Sequence, residues 1–207
     1  MTDQHTRTDD VIRALRAPSS TTRLRAALAA GTDPEPRCIA VLIERCGVEP
    51  DFYVRDMLTW ALTRHDVDTV LPAVTAELTS PNPQARSQAL HTISKLGDPE
   101  SWTPTVEALM TDPDDEVART AWRVAAALAP ATEVRAVAAI LTSQFGRGGP
   151  DVHRSLSRAF AEIGDAALPA VRQSQTSSDP VVRGHAVATE ALMRDPESSF
   201  AFDIDAA

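Results

Sequence analysis

A short motif recurs along the chain at intervals of 30 to 35 residues, and this internal repeat constrains the fold more than any other feature. Each copy has a turn rich in Pro and Asp or Asn, an anchor residue, and apolar residues at regular spacing after the anchor. The anchors are Val54, Ala85, Val117, Val152 and Val182. A unit this short cannot bury its apolar side alone, so neighbouring copies must stack.

The residues after each anchor follow the period of an α-helix and give that helix one apolar face. Asp or Asn in the turn is suited to cap this second helix, and proline fits its first turn. First helices of the same apolar character are predicted at 37–46, 67–78, 101–111, 132–144 and 166–174. No stretch shows the sustained period-two alternation of a strand. The sequence predicts an all-α fold, with an earlier copy at 20–31 whose register it does not define.

Composition fits closely packed helices. Apolar residues make up 43% of the chain but aromatic residues only 4%, so the core is built mostly from Ala, Leu and Val. The net charge of −9 argues against a dedicated nucleic-acid binder, whose contact surface is usually basic. No run approaches the ~18 apolar residues of a membrane span, and no secretory segment is visible, so we expect a cytoplasmic protein. Cys38 and Cys46 are too far apart on one predicted helix for a disulfide.

The order Pro-Asp turn, Val-Arg, small residue, aliphatic residue and Gly-Asp resembles the HEAT-repeat family, in the short bacterial form that also occurs in phycobilisome lyases. The resemblance implies a right-handed α-solenoid of about six HEAT-like helical hairpins, with the second helices lining a concave groove. It also implies that the arginines after the anchors pair with turn aspartates of neighbouring repeats. These arginines are Arg55, Arg86 and Arg183.

The repeats suggest three segments. The HEAT-like solenoid is expected at 11–195, between a polar N-terminal tail at 1–10 and an acidic-apolar C-terminal tail at 196–207. The C-terminal tail mixes aromatic, aliphatic and acidic residues. The sequence leaves two arrangements open for it, folded back onto the last repeat or loose.

The candidate binding residues lie opposite the apolar face of the second helices. Counting each anchor as position zero, positions 2 and 6 fall on that opposite side, which faces the groove of a solenoid. These positions hold the candidate partner-binding residues Trp60, His91, Arg119, Arg123, Arg154 and Arg158. Trp60 is either an exposed interface anchor or half-buried between repeats.

The four arginines form two pairs spaced four residues apart, and like charges at this spacing destabilise a helix. A bound carboxylate or phosphate would offset that repulsion, since guanidinium groups form bidentate pairs with either. A second interpretation is a solvated face that is already neutralised by nearby acids. Those acids are Asp115, Asp151 and Glu162.

The sequence contains no Gly-rich phosphate loop with its lysine, no Cys-x-x-Cys and no His-Glu-x-x-His, so we expect no enzyme activity, metal or cofactor. We predict a non-catalytic protein-interaction module that holds an acidic peptide or partner surface in its concave groove. Two alternatives stay open. One is a HEAT-like DNA-binding protein of alkylated-base repair, which the acidic total charge disfavours. The other is a phycobilin-lyase-like protein, suggested only by the repeat subtype.

Overall fold

The computed structural model describes residues 2–195, with side chains from Thr6 onward. Within that range the chain consists of helices and their connections, without strands, so the all-α prediction is confirmed. The chain divides into two compact units, the first ending at Ser101 and the second beginning at Trp102.

The first unit is a stack of three helical hairpins. Helix α1 packs on α2, α3 on α4 and α5 on α6, while α1, α3 and α5 form one layer and α2, α4 and α6 the other. This is the layered stacking of an α-solenoid. The helices are α1 (Thr2–Leu15), α2 (Ser20–Thr32), α3 (Ile39–Cys46), α4 (Phe52–Thr63), α5 (Val67–Ala76) and α6 (Pro83–Leu96), with 3-10 turns at Pro36–Cys38, Glu77–Thr79 and Pro99–Ser101.

The second unit repeats this plan. Helix α7 packs on α8, α9 on α10 and α11 on α12, and the second helices contact one another in the order α8, α10, α12. The helices are α7 (Pro104–Ala108), α8 (Asp115–Leu128), α9 (Val134–Thr142), α10 (Pro150–Ile163), α11 (Leu168–Ser174) and α12 (Pro180–Arg194), with 3-10 turns at Leu109–Thr111 and Gly164–Ala167. The described residues therefore contain the six hairpins that the repeat predicted.

The turn residues begin the second helices as predicted. The side chain of Asp51 accepts hydrogen bonds from the amides of Tyr53 and Val54 at the start of α4, and Asp114 does the same for α8. Asn82 and Asp179 cap α6 and α12. These bonds satisfy amides that have no partner inside the helix.

Two of the arginines after the anchors, Arg55 and Arg183, bind carbonyls of their own turns. Arg55 Nη1 donates to the carbonyls of Glu49 and Pro50, at 2.8 and 2.9 Å. Arg183 binds the equivalent carbonyls, five and six residues before it. The turn aspartates are already engaged as helix caps, whereas the turn carbonyls lack a helical donor. The arginines therefore stabilise their own turns.

The fourth repeat has Ala118 where this arginine would stand, and a different residue compensates. Arg147, from the turn before α10, donates to the carbonyl of Asp112, which is the carbonyl that an arginine at 118 would bind. Its Nε also pairs with Asp115 at 2.8 Å. The same turn is thus stabilised from the next repeat.

The first repeat starts earlier than the sequence indicated. Arg23 Nη1 donates to the carbonyls of Ala17 and Pro18, so Arg23 occupies the arginine position and sets the register of α2. Helix α1 is the first helix of this hairpin, so the prediction of a polar tail at residues 1–10 is wrong for residues 2–10. Helix α1 packs on α2, and Leu15 of α1 is buried, as are Ala26 and Ala27 of α2. The predicted C-terminal tail at 196–207 lies outside the described residues.

A buried ion pair joins the first two hairpins. Glu49, in the turn before α4, is 0% exposed. It accepts two hydrogen bonds from Arg23 at 2.6 and 2.7 Å, one from Arg45 Nε at 2.9 Å and one from the amide of Asp51 at 3.0 Å. Such a group is stable only with its charge and lone pairs satisfied. The network fixes α2 relative to the turn before α4.

Candidate partner-binding site

The predicted site residues fall on both units. Trp60 lies on α4 and His91 on α6, in the first unit. Arg119 and Arg123 lie on α8, and Arg154 and Arg158 lie on α10, in the second unit. The two groups are therefore described as separate surfaces.

The four arginines form one patch on neighbouring helices, here called the arginine patch. Helices α8 and α10 pack side by side, and each presents arginines at positions 2 and 6 while its anchor valine is buried. Arg123, Arg154 and Arg158 are exposed, and Arg119 is partly buried. The helical rise places the two arginine Cα atoms of each helix about 6 Å apart along its axis. Packed helices lie roughly 8–10 Å apart, so the patch can contact two anionic groups at once.

Nearby acids neutralise only part of this patch. Arg119 pairs with Glu116 at 2.6 Å, whereas Asp115 pairs with Arg147 instead. Arg154 reaches Asp151 only at 3.5 Å. In the part of the chain that the structure describes, Arg123 and Arg158 form no ion pair, and Glu162 does not neutralise Arg158. The self-neutralised interpretation thus holds for Arg119 and weakly for Arg154.

Arg123 is the least stabilised cation of the patch. Although Arg123 is exposed at the surface, part of its side chain is desolvated by the neighbouring residues, which lowers its pKa, and the charge of Arg119 lowers the pKa further. Its Nη2 donates to the hydroxyl of Thr120 at 3.0 Å, which offers no negative charge. The Nε of Arg119 is buried without a hydrogen-bond partner among the described residues. An anion bound here would relieve the repulsion between these two guanidinium groups.

Trp60 is half-buried between the first two repeats. Its ring packs on Gly31 of α2, where an added Cβ would lie 2.4 Å from Cζ3 of the indole. The remaining 37% of the side chain is exposed. Leu28, at position 6 of α2, is also exposed, so position 6 of the first two repeats is apolar, whereas position 6 of α8 and α10 is arginine.

Gly31→Ala should destabilise the first unit, although alanine normally favours a helix by about 1 kcal/mol over glycine. The new Cβ would meet the Trp60 ring and lie 2.9 Å from Cα of Ala61, and the latter is backbone that cannot rotate away. We expect a net loss of about 1–2 kcal/mol, measured by urea unfolding. In a Trp60→Ala background the same substitution should cost less. An increase in stability in the wild-type background would contradict the packing described.

His91 is half-buried on α6, and its carbonyl accepts a hydrogen bond from the hydroxyl of Ser94 at 2.7 Å. Helix α6 packs against α4, which carries Trp60. Both residues therefore belong to the second-helix layer of the first unit, at the same position of successive repeats.

A buried polar cluster between α10 and α12 was not predicted as a unit. His185 Nδ1 accepts from the amide of Gly146 at 3.1 Å, so Nε2 carries the proton and lies 3.1 Å from the carbonyl of His153. Ser157 Oγ lies 3.2 Å from that nitrogen and 2.7 Å from the hydroxyl of Thr189. The sequence signal was two pairs of polar residues separated by 32 residues each, close to the length of one repeat: His153 with His185 and Ser157 with Thr189.

Ser157 and His185 of this cluster do not form a catalytic pair. Ser157, His185 and Thr189 are all fully buried, so a substrate would not reach them. Burial lowers the pKa of His185 to about 4, and the adjacent His153 lowers it as well. His185 is therefore neutral near pH 7 and serves as a packed hydrogen-bonding group.

The described residues contain no group of His, Cys, Asp or Glu side chains placed to hold a metal ion. His65, which lies beside two aspartates in the sequence, is buried with its ring nitrogens next to the carbonyls of Ala61 and Glu35. Within 2–195, no helix has the length and apolar character that crossing a membrane requires.

Comparison with known proteins identifies the repeat. A family model described as HEAT repeats matches residues 48–126 and again residues 71–148. The search of curated proteins gives no significant match. The matched region runs from just before α4 to the turn before α10, and the hairpins on either side of it have the same helix order and turn contacts. Residues 48–148 of this chain are HEAT repeats.

Proposed function

We propose that this chain is a non-catalytic protein-interaction module whose arginine patch binds an acidic peptide or an acidic surface of a partner protein. The observation that carries the proposal is the pair Arg123 and Arg158. They stand at position 6 of adjacent helices, exposed and without a carboxylate partner among the described residues, in a chain of net charge −9.

The family supports the general role. HEAT repeats commonly mediate protein interactions and generally act as non-catalytic scaffolds. Their stacked hairpins display a continuous row of second helices, which suits an elongated ligand better than a small molecule.

The geometry of the patch favours carboxylates spaced along a peptide. Two arginines about 6 Å apart on one helix match acidic residues at i and i+4 of a helix, or at i and i+2 of an extended chain. Each guanidinium group can form a bidentate pair with one carboxylate. The total negative charge of the chain disfavours long polyanions such as duplex DNA, which would meet repulsion outside the patch.

The test is binding of a fluorescein-labelled peptide of alternating Glu and Leu residues, measured by fluorescence anisotropy. The variant Arg123→Glu with Arg158→Glu should weaken binding at least tenfold, since two attractive contacts become repulsive. The matched control is Arg25→Glu with Arg135→Glu, which makes the same charge change at exposed positions outside the patch. An equal loss of peptide affinity in both double variants would mean that binding depends on the overall charge, and it would contradict the proposal.

A duplex DNA probe should bind weakly or not at all in the same assay. Binding of DNA with an affinity that falls by about 0.9 decade per decade of salt for each phosphate contacted would instead support the DNA-binding alternative.

A further inference from the structure

A surface groove of about 440 Å³ lies between two neighbouring first helices of the first unit, α3 and α5. This volume is within the range of about 300–1,000 Å³ that ligand-binding clefts have. One wall is a stripe of residues from α3 and the turn after it, spaced three or four residues apart, namely Ala40, Ile43, Glu44, Gly47 and Val48. At the helical rise of 1.5 Å per residue, this wall is about 12 Å long.

The opposite wall runs along α5 and the turn that follows it. It consists of Ala73, Glu77 and Ser80, again three or four residues apart, over about 10 Å. The buried residues of the lining, Gly47 and Ala85, are small, so the inner part of the groove is open. Two helical walls of this length match two turns of a third helix, whose side chains at positions i, i+3 or i+4, and i+7 would lie between them.

Large apolar side chains are exposed at the end of the first wall. Val48 lines the groove, and Phe52 and Tyr53 follow it at the start of α4; all three are more than half exposed. The short separation along the chain keeps the Cα atom of Phe52 within about 14 Å of that of Val48. The rings of Phe52 and Tyr53 pack edge to face, with centroids 5.7 Å apart. Exposed aromatic residues near a cleft are typical of surfaces that anchor a protein partner.

The groove is acidic. Among the described residues that line it there are two carboxylates, Glu44 and Glu77, and no Lys, Arg or His. Glu77 forms no ion pair within the described part of the chain. Glu44 pairs with Arg16, but both side chains are more than half exposed, and such a pair is weak and readily exchanged. Arg86 donates to the carbonyl of Ser80 at 2.8 Å, so the acidic part of the groove lies toward the two glutamates.

These two acids select the charge of the ligand. A carboxylate or a phosphate would be repelled by them, whereas Lys or Arg side chains would pair with them. We propose that this groove binds an amphipathic helix of a partner protein, with its apolar side chains between α3 and α5 and its basic side chains on Glu44 and Glu77. The groove belongs to the first unit and to the layer of first helices, so it is separate from the arginine patch. The chain thus offers one surface to a basic partner and another to an acidic partner.

The test uses the full chain and a fluorescein-labelled helical peptide of Leu, Lys and Ala, with leucine at every third or fourth position and lysine on both sides of the leucine stripe. Fluorescence anisotropy measures its affinity. Glu44→Lys with Glu77→Lys should weaken binding by at least about tenfold, because two attractive contacts become repulsive. The matched control is Glu100→Lys with Glu162→Lys, which makes the same charge change at exposed positions outside the groove. An equal loss of affinity in both double variants, or no binding to the wild type, would overturn the proposal.

A second pair of variants tests whether the peptide enters the groove. Ala73→Gln places an uncharged side chain inside the groove and should weaken binding about fivefold or more by obstructing the leucines. Ala76→Gln makes the same change at an exposed position of the same helix outside the groove, and it should change the affinity by less than about twofold. Glutamine is a good helix former, so both variants should keep the far-UV circular dichroism of the wild type. Full affinity in Ala73→Gln would show that the peptide binds elsewhere on the surface and would contradict the proposal.

Discussion

Glu49→Gln is expected to lower the free energy of unfolding by about 3–5 kcal/mol, the usual cost of removing one partner of a buried ion pair. The substitution keeps the size of the side chain but removes its charge. Arg23, whose side chain is only 7% exposed, would then stay buried without a counter-charge. Arg45 and the amide of Asp51 would each lose an anionic acceptor as well.

Glu44→Gln is the matched control, since it removes the same type of ion pair from the surface. Glu44 pairs with Arg16, and both side chains are more than half exposed. Its loss should cost less than about 1 kcal/mol. Urea unfolding followed by far-UV circular dichroism measures both variants. Similar losses in the two proteins would mean that Glu49 does not organise the first unit as described.

The pH dependence of the free energy of unfolding provides a second test of the role of Glu49. Burial alone would raise its pKa, but the hydrogen bonds from Arg23, the Asp51 amide and Arg45 outweigh it and lower the pKa from 4.5 to about 2. The contribution is therefore fully present above pH 4.5 and is lost as the pH falls toward 2. Glu49→Gln should lack this part of the acid transition.

The repeat period predicted the helices well because it depends on features within each helix and its turn. Anchors such as Val54 and Val117 are buried, and capping residues such as Asp51 begin their helices, so the elements followed from spacing and cap chemistry alone. The contacts of the arginines after the anchors were harder to predict from the sequence. Arg55 binds turn carbonyls, which are present in every sequence and leave no signature in it.

Helix α1 was missed for a related reason. Residues 2–10 are polar, and their helicity depends on packing against α2 rather than on their own apolar period. Contacts between the two helices of one hairpin are equally hard to predict. Glu190, at a normally apolar position, is accommodated by Arg194 four residues later and by Arg172 and Gln175 from α11 and its end. Helical spacing identifies only Arg194 as a partner.

The candidate site was predictable in outline and not in detail. Counting from the anchors placed the four arginines on the surface opposite the core, because helical geometry sets the face once the register is known. Helical spacing did not predict which of these arginines pair with an acidic residue. Asp115 is four residues from Arg119, yet it pairs with Arg147 from the next repeat. The contact of Trp60 with Gly31 likewise depends on how two repeats meet.

Lowering the pH from 6.5 to 4 is expected to remove about 3 kcal/mol from the stability of the second unit through His185 alone. Burial is the first cause of its lowered pKa, which falls from 6.5 to about 4, and the nearby His153 is the second. The unfolded chain therefore binds a proton at this residue between pH 6.5 and 4 while the folded chain does not. The stabilisation is complete above pH 6.5 and declines toward pH 4, the reverse of a histidine that gains an acidic partner.

His185→Gln separates this effect from the titration of other groups. Glutamine still offers a hydrogen-bond donor and acceptor to Gly146 and Ser157, but it carries no ionisable proton in this range. The variant should be less stable than the wild type at pH 7, and the difference should shrink as the pH falls to 4. Tryptophan fluorescence during urea unfolding follows the second unit through Trp122, which is buried there. A difference that stays constant with pH would show that His185 has the same pKa in the folded and the unfolded chain, which would contradict its burial and its acceptor bond from the Gly146 amide.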